Sequence, residues 1–227
     1  MQTRILSATC LLAFLLVSCT SKPSPTSSAP AAATQPEPPA AAPDTRPAIV
    51  AFGDSLTAGL GVAPDQNYPA KLQRKLDAEG FRYRVRNEGV SGETSAQGLG
   101  RMPLIREMHP AVVILEFGAN DGLRGVPPEA TRANLEQMVR QFLADGTKVV
   151  LAGMEMPPNY GPAYTSAFRT IFPDLAARHG VALVPFFLSG VGGVPELNQD
   201  DGIHPTARGY ELVVENVWKA LAPLLSQ

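Results

Sequence analysis

The sequence predicts an α/β fold of three layers, with five parallel strands in one sheet between two layers of helices. Three observations carry that expectation. From Ala48 onward, short apolar runs alternate with helical patterns of ten or more residues, which implies right-handed crossovers between parallel strands. The run Ala111-Val112-Val113-Ile114-Leu115-Glu116-Phe117 is almost continuously apolar, as a strand covered on both faces must be. The chain has 227 residues, 44% of them hydrophobic, enough for one globular domain with a sizeable core.

The elements follow in order. Ala48-Ile49-Val50-Ala51-Phe52 reads as a buried strand ending at Gly53. Tyr68 to Glu79 reads as an amphipathic helix with Leu72 and Leu76 on one face, stopped at Gly80. Tyr83 to Asn87 is a second strand, and its alternating arginines suit a sheet edge. Ala111 to Phe117 is the central strand. A helix from Pro128 to about Ala144, a strand from Lys148 to Gly153 and a helix from about Ala163 to His179 come next. A short strand, Ala182 to Val184, and a helix from Thr206 to Leu225 complete the pattern. Five strands so arranged fit a flavodoxin-like α/β/α sandwich. In such sheets ligands bind beyond the carboxyl ends of the strands.

The residues after those ends are therefore the ones to read for chemistry. After the first strand comes Gly53-Asp54-Ser55-Leu56-Thr57-Ala58-Gly59. A serine at a strand-to-helix turn presents its hydroxyl, and its own N–H, at the sheet edge; the same tripeptide also serves as a helix N-cap. It lacks the Gly-x-Ser-x-Gly pattern of α/β-hydrolases. After the second strand, Gly89-Val90-Ser91-Gly92-Glu93-Thr94 can aim backbone donors at a ligand or simply turn the chain. After the third, Gly118-Ala119-Asn120-Asp121-Gly122 offers a side-chain amide for a developing oxyanion, though Asn-Asp-Gly is also good turn chemistry.

Three histidines are present. His109 precedes a proline, and His179 stands before Gly180 at a helix C-terminus, where capping and dipole explain it. His204 lies in Gln199-Asp200-Asp201-Gly202-Ile203-His204-Pro205. A carboxylate three residues earlier, across a glycine, can orient its ring and stabilise the imidazolium. Asp200 is the competing carboxylate, and Asp54 reads as holding its turn.

Together these four blocks resemble the SGNH (GDSL) hydrolase family in order, spacing and residue type, with Ser55, Gly92, Asn120 and His204 at the four landmark positions. The resemblance spans the domain from about Ala48 to the C-terminus. Within the family it is strongest to the bacterial thioesterase/lysophospholipase/arylesterase group, on the stretches 91–99, 120–125, 158–161 and 199–205. It implies the SGNH hydrolase fold and a serine esterase with Ser55 as nucleophile, His204 as base and Asp201 as its orienting acid. It further implies an oxyanion hole from the N–H groups of Ser55 and Gly92 and the Asn120 side chain, with no metal and no cofactor. Loops 122–126 and 156–160 are expected to flank an acyl channel, with Leu123, Met156 and Tyr160 touching the chain of an acyl ester or lysophospholipid. Met154-Glu155-Met156 departs from that group's pattern. An O-acetylesterase acting on carbohydrate or peptidoglycan is an alternative on the same fold. A non-catalytic phosphate-binding module or lipid carrier is a third reading.

Composition narrows the rest. The net charge is −2 with no basic stripe, which argues against nucleic-acid binding. Arg4 precedes an apolar run from Ile5 to Val17 that is too short to span a bilayer but suits a secretory signal. Leu16-Val17-Ser18-Cys19 is similar to a bacterial lipobox. Residues 1–18 are therefore expected to be a lipoprotein signal peptide and Cys19 a lipidated first residue. Residues 19–46, rich in Pro, Ala and Ser, read as a disordered tether with a reach on the order of 80 Å. The hydrolase domain is expected over 47–227, as a monomer held at the membrane surface of a bacterial cell envelope.

Overall fold

The computed structural model describes residues 44–226. The signal peptide, Cys19 and nearly all of the tether lie outside the described residues. The chain is already placed at Asp44, inside the last residues assigned to the tether, and Arg46 pairs with Asp44 at 2.7 Å and reaches Asp77 at 3.4 Å.

Five strands, β1 (Ala48–Gly53), β2 (Arg84–Gly89), β3 (Val112–Glu116), β4 (Lys148–Ala152) and β5 (Ala182–Val184), form one parallel sheet in the order β2-β1-β3-β4-β5. The apolar run expected at the centre is the central strand, with all five residues buried. The arginine-bearing strand is an edge, as expected, though it starts one residue later and runs on to Gly89. The helices are α1 (Ser55–Ala58), α2 (Tyr68–Ala78), α3 (Ser95–Arg106), α4 (Ala119–Leu123), α5 (Pro128–Ala144), α6 (Pro162–His179) and α7 (Ala207–Leu221). One layer pairs α2 with α7; the other packs α3, α5 and α6 in sequence. Among the described residues no helix is long and apolar enough to cross a membrane.

Local chemistry sets the boundaries. Asn67 caps α2 by accepting from the Ala70 N–H at 2.9 Å, and Pro69 sits in its first turn. Gly180 ends α6 in the left-handed conformation. Helix α7 stops at Leu221, before the expected Leu225, and passes into a single 3₁₀ turn at 222–224 that contains Pro223.

Helix α3 is the element that hydropathy does not reveal. Gly98, Gly100 and Pro103 break its apolar pattern, and each is a poor helix former. Packing supplies the reason for Gly98: a Cβ there would lie 2.5 Å from the ring of Phe117. That ring meets Phe52 edge-to-face at 4.9 Å, and Phe52 in turn meets Phe142 at 6.3 Å. Truncating a buried ring of this kind typically costs about 3–5 kcal/mol, so the aromatic column holds β1, β3 and α5 in one arrangement under the sheet's carboxyl edge.

Candidate active site

Ser55 is the first residue of α1, directly beyond β1. Asp54 makes the turn: its Oδ1 accepts from the Leu56 N–H at 3.0 Å. A helix start leaves its first N–H groups free of intrahelical partners, so the Ser55 amide faces the space beside its own hydroxyl. Gly53 must be glycine, because a Cβ would press within 2.6 Å of both the Thr57 hydroxyl and the Glu116 carboxyl.

The structure brings Asp201, His204 and Ser55 together. His204 Nδ1 donates to Asp201 Oδ2 at 2.6 Å, which leaves Nε2 to accept from the Ser55 hydroxyl at 2.9 Å. The other Asp201 oxygen accepts from the N–H groups of Ile203 and His204, both at 3.0 Å. Partial burial works to raise the Asp201 pKa, but the His204 and Ile203 amides and the His204 ring outweigh it and hold the carboxyl at about 2. Asp200 is exposed and makes no contact with the imidazole.

Gln199, which the sequence did not mark, clamps this loop to the serine side. Its N–H donates to His204 O at 2.8 Å, and its side-chain amide donates to Pro205 O at 3.0 Å and Leu60 O at 2.7 Å. Gly61 leaves room for it, since a Cβ there would lie 2.0 Å from Gln199 Oε1.

Asn120 sits on α4 beside the serine, and its Nδ2 donates to Asp54 Oδ2 at 3.0 Å. One amide hydrogen is thus fixed and the other is left for a ligand. The segment Asn120-Asp121-Gly122 forms a short helix, not only a turn, because Asp121 is buried and accepts from the Ser95 N–H at 2.7 Å and the Thr131 hydroxyl at 3.2 Å. Gly92 lies on the β2–α3 loop at φ +82°. Arg124 donates to its carbonyl at 2.8 Å, and Arg101 grips the neighbouring Glu93 with two nitrogens at 2.8 and 2.6 Å.

From Ser55, Asn120 and His204 runs a cleft of about 380 Å³, a size that suits a small organic ligand. Leu123 and Met156 line it, and Met156 packs directly on Gly122. Tyr160 is a correction: it does not line the cleft. Its hydroxyl donates to Leu123 O at 3.2 Å and its ring lies against Tyr164, so it props the wall from behind. Gly92 is likewise outside the lining; its link to the site is through Arg124, the neighbour of the cleft residue Leu123. The opposite wall, from Phe186, Leu188, Gly192 and Gly193, was missed because the segment after β5 carries no periodicity. His179 bonds Glu136 at 3.0 Å at the end of α6, and His109 closes a turn at φ 46°; both are remote from the cleft. Among the described residues no three His, Cys, Asp or Glu side chains converge as a metal site.

The GDSL-like lipase/acylhydrolase family model matches residues 51–212, which span every residue of this arrangement. The chain is 48% identical over 178 residues to the esterase TesA of Pseudomonas aeruginosa, covering 78% of this chain and 89% of that protein. It is 38% identical over 174 residues to an arylesterase of Vibrio mimicus, covering 76% and 87%. The crystal structure of TesA superposes with a TM-score of 0.76 over 78% of this chain and 99% of that one. The psychrotrophic esterase EstA from Pseudoalteromonas, inhibited by monoethylphosphonate, does so at 0.73 with 32% identity over 78% and 97%. By sequence, by fold and by this constellation, the chain belongs to the GDSL-like lipase/acylhydrolase family.

Proposed function

We propose that this protein is a serine hydrolase of carboxylic acyl esters, of the arylesterase, lysophospholipase and acyl-thioesterase kind. One observation carries the reading: the unbroken Ser55–His204–Asp201 hydrogen-bond relay opens at one end of an apolar cleft. His204 takes the Ser55 proton as the oxygen attacks the acyl carbon. The Ser55 N–H and the free Asn120 N–H stabilise the oxyanion, and the Gly92 N–H is the third donor that the family resemblance implies. Collapse expels the alcohol or thiol, which leaves with the proton from His204. Water then repeats the sequence on the acyl-enzyme, releasing the acid and restoring Ser55.

The cleft volume and its Leu, Met and Phe lining support medium or long acyl chains over acetyl alone. A p-nitrophenyl ester series from acetate upward tests this. Rates that rise with chain length support the reading, whereas activity confined to the shortest esters would favour an O-acetylesterase. Hydrolysis that survives Ser55→Ala would refute the serine mechanism.

The sequence signals at Cys19 and along 19–46 support a lipid-anchored protein of the bacterial cell envelope, working beside a membrane. Metabolic labelling with a palmitate analogue checks the anchor: label in the wild type and none in Cys19→Ala is the expected result.

A further inference from the structure

Beneath the serine lies a pair of carboxyl groups that these hydrolytic steps do not use. Glu116 ends β3 opposite Gly53, and its side chain is fully buried. Its Oε2 accepts from the Thr57 hydroxyl at 2.8 Å and from the Asp54 N–H at 3.3 Å. Its Oε1 has no hydrogen-bond partner among the described residues. Asp54 is equally buried, yet both of its oxygens are engaged by N–H donors, those of Leu56 and Asn120. The titratable groups facing the pair are Tyr68 from α2, Tyr210 from α7 and, on the cleft side, His204. Among the described residues neither carboxyl pairs with a lysine or arginine; Arg101, which lies over the Phe52 ring, is committed to Glu93.

Two sealed like charges without a cation are unstable, and one proton resolves the conflict. The hydrogen bonds say where it resides. Asp54 has donors on both oxygens and so bears the charge; Glu116 has an oxygen with none. Burial, foremost, and the neighbouring carboxyl both push Glu116 well above the usual carboxylate range.

We propose that Glu116 is a proton-bearing positioning residue, which stays neutral so that Asp54 remains the charged acceptor that orients the Asn120 amide. A charged acceptor makes the stronger hydrogen bond. It turns one Asn120 N–H inward and presents the other to the reacting carbonyl beside Ser55. An ionised Glu116 would drive Asp54 toward protonation and loosen that donor. The inference rests on the ester-hydrolase reading, because the group being positioned is an oxyanion donor.

Infrared spectroscopy at neutral pH reads the proton directly. A buried carboxylic-acid carbonyl band is expected in the wild type, shifted by isotope-labelled glutamate, lost in Glu116→Gln and kept in Asp54→Asn. Kinetics reads the positioning. Asp54→Asn turns an N–H₂ toward Asn120 and is expected to lower kcat about 10- to 100-fold, with KM changed less than about twofold. Glu116→Leu, which leaves Thr57 and the Asp54 N–H without their acceptor, should lose about tenfold in kcat, most of it recovered in the neutral isostere Glu116→Gln. A wild type without the band, a band that survives Glu116→Gln, or an Asp54→Asn protein with unchanged kcat overturns the proposal. Ser55→Ala separates the two readings: it must abolish hydrolysis for the enzyme reading to stand, and it keeps the band in either case.

Discussion

His204 and Ser55 are 149 residues apart in the chain and 2.9 Å apart in space, so single substitutions at either end of that contact should act on rate and not on folding. Ser55→Ala is expected to remove at least about 10³-fold of kcat while thermal unfolding is unchanged. Asn120→Ala should cost about 10²- to 10³-fold, the usual loss for one oxyanion donor. Asp201→Asn should cost about 10³- to 10⁴-fold, since the amide favours the wrong imidazole tautomer. Because Asp201 is held at about 2, it stays ionised across the working range. Asp201 is therefore expected to add no step of its own to the pH profile of kcat/KM near neutral pH. Stability follows the sign of each shift. Asp201, depressed, contributes stability above the ordinary value of 3.8 that is lost as pH falls toward about 2. Asp54 and Glu116, both raised, act oppositely: the folded state binds their protons more tightly, so their contribution is present at low pH and lost as pH rises through their folded values. At this scale the triad was legible because Asp201-Gly202-Ile203-His204 places a carboxylate at the right reach on one turn. Glu116 was not legible, because inside an apolar run it reads only as part of a buried strand. Tyr160 was misread because proximity in a loop does not reveal which way a ring faces.

Elements were legible where hydropathy alone shaped them, as in the central strand or in α5, whose bounds coincide with the expected ones. Where tertiary contact shaped them, they were not. Helix α3 demonstrates this, and its two glycines give opposite predictions. Gly98→Ala gains about 1 kcal/mol of helix propensity but drives a methyl into the Phe117 ring, where overpacking costs about 1–3 kcal/mol, so net destabilisation is expected. Gly100 has nothing within 4 Å of an added Cβ, so Gly100→Ala should stabilise by up to about 1 kcal/mol. Urea unfolding of the two variants checks both signs. On α4, Gly122→Ala would displace Met156, whose sulfur lies 2.0 Å from the added carbon. The expected outcome is an altered acyl-length profile with Ser55 chemistry intact, measured on the p-nitrophenyl series.

For the whole molecule, the parallel sheet and its layering followed from the alternation of periods, because strands joined by helical crossovers admit few arrangements. The second wall of the cleft did not follow. Residues 186–193 acquire their role only when the chain returns over β5, and no local pattern announces it. The same return governs assembly. The base and its acid arrive after the last strand, on a loop fastened to the serine side by Gln199 and backed by α7, whose Tyr210 hydroxyl donates to Leu56 O at 3.0 Å. A chain truncated before Ala207 is expected to lose hydrolysis entirely, with a looser α2 face as seen by hydrogen exchange. Gln199 thus acts as a clasp that closes last. The nucleophile therefore meets its base only once the segment after β5 has folded back over the serine, so hydrolytic competence is a property of the closed fold and not of either half alone.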